Sequence, residues 1–68
     1  SKSDERSFLQ SAFKQLPQDQ REVIELSYFK GLNHLEISEH LQLSLGTVKS
    51  RIRLGMEKLK RALSNLRS

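Results

Sequence analysis

The chain has 68 residues, 35% hydrophobic and 29% charged, with a net charge of +4, one Pro and no Cys. That length allows one small domain, and the lack of Cys excludes a disulfide scaffold, a thiolate zinc site and a cysteine nucleophile. Apolar residues never run beyond two in succession, far short of the roughly 18 that a membrane span needs, so no membrane association is expected. The polar start has no signal-peptide pattern, and a cytoplasmic setting is expected.

No strand pattern occurs, and sparse Gly and Pro favour helices joined by short turns. The expected class is all-α, with four helices in a single domain over 1–68. Residues 1–5 read as a frayed linker remnant, 6–30 as a first helix pair and 33–66 as a helix-turn-helix. The first helix is expected from about Asp4 to Gln15, with Phe8, Leu9, Ala12, Phe13 and Leu16 on one apolar stripe. Pro17 ends it and suits the first turn of the second helix, where a missing N–H costs nothing. The second helix is expected to reach Phe29, burying Val23, Ile24 and either Leu26 or Tyr28. Gly31 then fits a left-handed C-terminal cap.

Two capping signals follow. Asn33-His34-Leu35-Glu36 reads as a capping box, with Leu32 and Ile37 at the positions of a hydrophobic staple. Leu43, Ser44 and Val48 repeat the staple-and-cap pattern, with Ser44 as N-cap. The third helix is therefore short, about His34 to Leu41, and the turn Gln42–Ser44 leads into a long fourth helix. A short helix, a three-residue turn and a longer helix make a helix-turn-helix.

In the fourth helix Val48, Ile52, Met56, Leu59 and Leu63 form an unbroken core stripe. The opposite face carries Thr47, Ser50, Leu54, Glu57 and Arg61, with Lys49 and Arg53 along one flank and Arg51 on the other. The charge is as uneven as the hydropathy. Residues 1–45 carry five basic and seven acidic side chains, whereas residues 46–68 carry seven basic and one acidic. A positive C-terminal third is a footprint for a polyanion, although a solvated Lys-rich helix would show the same charge. A helix face that is small and polar at its N-terminal end, with long donors beside it, is what a DNA recognition helix needs.

Leu16-Pro17, Gln20-Arg21-Glu22-Val23-Ile24, Tyr28, Gly31-Leu32, Glu36-Ile37, Leu41, Ser44 and Gly46-Thr47-Val48-Lys49-Ser50-Arg51 together resemble bacterial sigma factor region 4, most of all that of extracytoplasmic-function (ECF) sigma factors. The resemblance spans roughly residues 6–66. It implies binding of promoter −35 DNA in the major groove and docking on the β-flap of RNA polymerase. It also implies an anti-sigma protein that masks the domain, and a monomer. Lys49 and Ser50 match base-contacting positions, Arg53 lies beside them, and Ser44, Thr47 and Arg51 match positions near phosphates. Lys58 and Arg61 are further phosphate candidates. Leu54 stands where many members carry Arg and is suited to a thymine methyl. Gln42 stands where Gly is frequent, and Met56 often has a basic counterpart. The segment that binds the −10 element is absent, so the chain is expected to be an excised domain that cannot initiate transcription alone.

Other readings compete for the same residues. Arg51 has an alternative partner in Glu36 or Glu39 within the fold. Tyr28, Phe29 and Leu32 are expected in the core, with a partner groove as the alternative. Glu36 and His40 share a helix face but lack a third ligand for a metal; His34 and His40 lie about 240° apart around a helix. No Asp–His relay accompanies the serines, so no enzyme, metal or cofactor is expected. A LuxR-type response-regulator helix-turn-helix shares several of these residues, but usually adds a separate dimerisation helix after a shorter recognition helix. A protein-interaction module with a basic helix is the reading from outside DNA binding.

Overall fold

The computed structural model describes the backbone of residues 2–67 and the side chains of 6–64; the side chains of the frayed remnant expected over 1–5 lie outside the described residues. Four helices follow one another: α1 Lys2–Lys14, α2 Gln18–Ile24, α3 His34–Leu41 and α4 Leu45–Arg67. A π-helical turn, Glu25–Phe29, extends α2. No strand occurs among the described residues.

Each boundary has a local cause. Pro17 is the N-cap of α2, one position earlier than its sequence suggested, with φ −54° and ψ 149°. Its carbonyl accepts the N–H groups of Gln20 (3.1 Å) and Arg21 (2.9 Å). Arg21 Nη1 reaches back to the Lys14 carbonyl at 3.1 Å and ties α2 to the end of α1. At the far end the Lys30 N–H donates to the Glu25 carbonyl (3.2 Å) and the Leu32 N–H to the Leu26 carbonyl (3.0 Å). Between those bonds the chain reverses through Gly31 at φ +73°, a conformation that costs Gly little.

The capping box before α3 is complete. The Glu36 N–H donates to Asn33 Oδ1 at 2.8 Å, and the Asn33 N–H donates to Glu36 Oε1 at 2.9 Å. The turn into α4 is closed twice at its start: the Leu43 N–H donates to the Ser38 carbonyl (3.0 Å) and Ser38 Oγ donates to the Leu43 carbonyl (2.6 Å). Gln42 takes the left-handed position, φ 57°. Ser44 Oγ accepts the Thr47 N–H at 3.2 Å and also bonds Thr47 Oγ1 at 2.8 Å.

The core draws on every helix and on the α1–α2 junction. Leu16, Val23, Ile24, Ile37, Val48, Ile52 and Leu59 are buried, with Ala12, Phe13, Leu26, Leu32, Leu41, Leu43 and Met56 packed around them. Two buried positions have no apolar signal. Gly55 lets α2 approach α4 closely: a Cβ there would collide with Ile24 Cδ1 and lie 3.5 Å from Gln20 Cβ. Gln20 is itself buried at that crossing, and its Oε1 has no protein partner.

The expectation that Tyr28 and Phe29 are core residues is corrected. They are 61% and 70% exposed. An α-helical continuation would set Tyr28 directly above Ile24, on the buried face. The wider π turn rotates it away from that face. Leu26 packs against the core in its place.

Candidate nucleic-acid interface

The helix-turn-helix brings α3 against α4 through Ile37, Val48 and their neighbours. With Val48, Ile52 and Leu59 buried, the opposite side of α4 must face solvent. Lys49, Ser50, Arg53, Leu54, Lys58 and Arg61 are all exposed, and Thr47 and Arg51 are half-buried. Ser44 is exposed at the entrance of the helix. The structure thus gathers these residues along one side of α4. Ser50, Leu54 and Arg61 run down its outer line, Lys49 and Arg53 stand on the α3 side, and Arg51 and Lys58 on the α2 side.

The two flanks differ. On the α3 side, Lys49 borders a shallow depression with Leu35, Leu45 and His34. Leu35 is 58% exposed and Leu45 39% exposed. Both exposures were hidden in the sequence, because each Leu stands beside a cap and reads as an ordinary helix-start hydrophobe. On the α2 side, Arg51 Nε lies 3.8 Å from Asp19 Oδ2. The intramolecular partner is thus Asp19, and not Glu36 or Glu39; Glu36 is held in the capping box. Among the described residues, no group of three metal-ligating side chains occurs, and no helix is long and apolar enough to cross a membrane.

A second surface lies on the other side of α4. Leu9, Phe13, Ile24, Tyr28, Phe29, Met56 and Leu59 line an apolar groove of about 550 Å³, rimmed by Gln10 and Lys14. Phe13 and Phe29 meet edge to face across it, with ring centroids 5.5 Å apart. Met56 and Leu59 lie about 120–180° around α4 from the Ser50–Leu54–Arg61 line.

The family model for Sigma-70, region 4 matches residues 9–59, which include α2, α3, the turn and most of α4. The chain belongs to the sigma-70 region 4 family. Its curated relatives include proteins named as ECF sigma factors. The chain is 42% identical over 60 residues to an ECF RNA polymerase sigma factor RpoE of Cereibacter sphaeroides, covering 88% of this chain and 33% of that protein. It is 42% identical over 60 residues to an ECF RNA polymerase sigma factor SigK of a Mycobacterium species, covering 88% of this chain and 31% of the relative. Against a SigK of Mycobacterium tuberculosis the identity is 40% over 60 residues, covering 88% of this chain and 32% of the relative. The region 4 domain thus spans about a third of the length of the curated relatives it matches. The unbroken α4, together with a helix ahead of Pro17, suits region 4 rather than the LuxR-type arrangement.

Proposed function

We propose that this region 4 domain recognises promoter DNA for an ECF sigma factor, with α4 in the major groove of the −35 element, and that its apolar groove docks on the β-flap of RNA polymerase. The observation that carries the first half is the exposed side of α4, which combines base-reading side chains with cations on both flanks of a helix-turn-helix. Lys49 and Arg53 donate to base edges, Ser50 approaches closely, and Leu54 packs on a thymine methyl. Ser44, Thr47, Arg51, Lys58 and Arg61 hold the phosphates and set the docking register. The function is binding, with no chemical step.

The second half rests on family membership and on the groove. The exposed rings of Tyr28 and Phe29 beside a half-buried Met56, in a concave apolar site, suit a helical or extended segment bearing apolar anchors. The domain acts as a monomer, and an anti-sigma protein would work by covering one or both surfaces.

An NMR amide-shift titration of the labelled chain with −35-containing and scrambled duplexes tests the DNA reading. Shifts concentrated over residues 44–61, larger with the −35 duplex, are expected. The absence of shifts with either duplex at low salt, from a folded domain, would sink it and favour a protein-interaction module.

A further inference from the structure

The pairing of Arg51 with Asp19 joins the candidate phosphate face to a helix that has no base-reading role. We infer that Asp19 limits the affinity of the α4 face for phosphate by neutralising Arg51, so that the domain holds any duplex loosely. This inference rests on the DNA-binding reading above and extends it to a residue that touches no base.

The geometry separates a charge effect from a structural one. At 3.8 Å the contact is too long for a hydrogen bond, so Asp19 does not fix Arg51 in a directional grip. The two side chains are 32% and 49% exposed, and a pair in that setting contributes little to stability. The carboxylate lies nearest Nε, which leaves the terminal guanidinium nitrogens, the pair suited to a phosphate, farther from it. Arg51 can therefore meet a phosphate without leaving Asp19. The carboxylate then stays beside the guanidinium and offsets the charge that it presents to that phosphate. Every duplex carries the same phosphates, so the effect falls equally on all sequences. Discrimination stays with Lys49, Ser50, Arg53 and Leu54, while background binding is kept low.

Fluorescence anisotropy of the 68-residue chain with a short mixed-sequence duplex, across a salt series, tests this directly. Asp19→Asn should tighten binding about three- to tenfold at low salt and steepen the salt dependence by about one unit of slope. Thermal melting should stay close to that of the parent chain, and Asp19→Ser serves as a second neutral variant. In an Arg51→Ala background the same Asp19 substitutions should change nothing. Unchanged or weaker binding by Asp19→Asn would overturn the inference and leave the DNA reading intact. Equal tightening with and without Arg51 would overturn it too, because the carboxylate would then act on DNA without Arg51. A parent chain that binds no duplex at low salt would overturn both.

Discussion

Lys49 and Arg61 are both exposed cations on α4, yet they stand to do different work. Lys49 sits in the first turns, where a recognition helix meets base edges. Lys49→Ala should cost about 1–3 kcal/mol of binding and relax discrimination at one base pair, as read by anisotropy over a panel of single-base variants. Arg61 lies farther along, and its loss should weaken all duplexes alike and lower the salt slope by about one. Gln42 offers a test of stability in place of binding. Its φ of 57° costs an L-residue about 1–2 kcal/mol, whereas Gly adds about 0.5–1 kcal/mol of chain entropy to be lost. Gln42→Gly should therefore gain roughly 0.5 kcal/mol, and urea unfolding would report it. The Gln42 position was legible only through the resemblance, which marks it as a place where Gly is frequent. The partner of Arg51 was not. Glu36 and Glu39 lie nearer in sequence, and only the crossing of α2 over α4 puts Asp19 beside the guanidinium.

Among the elements, the short α3 depends most on its ends, since eight residues form few internal bonds of their own. Asn33→Ala removes one half of the capping box and should destabilise the domain by about 1 kcal/mol, lowering its melting temperature by about 4–8 °C. Helix starts with a cap and a staple were readable because those signals are local. For α3 and its turn the expected bounds match the observed ones. The π turn after Ile24 was not readable: residues 25–29 carry no Pro or Gly, and an α-helical continuation satisfies the same apolar spacing. Gly55 was missed for a similar reason, since a helical Gly signals little until the neighbouring helix is known. Its role predicts that Gly55→Leu, which cannot fit against Ile24, should destabilise by about 1–3 kcal/mol in thermal melts.

For the whole molecule, the proposed function divides the labour between two sides of one long helix. The structure measures 38 × 18 × 16 Å, and α4 alone spans about 34 Å. Its outer side carries the cations and its inner side floors the apolar groove. Tyr28→Ser with Phe29→Ser removes two groove walls that are largely exposed and so contribute little to the core. The double variant should bind duplex DNA like the parent chain and lose binding to an isolated β-flap fragment, both measurable by titration. Loss of both activities together would mean that the two surfaces are not separable.

The opposed placement of groove and cations lets both be occupied at once. A domain anchored through the groove would meet its promoter as an intramolecular event, at an effective concentration in the millimolar range for a short connection. Against that concentration, a weak intrinsic grip on DNA still gives high occupancy while anchored. Once released, the same grip leaves the domain almost unbound. On the proposed function, two weak contacts on separate sides of α4 would form a switch whose sharpness comes from connectivity, with no change of shape.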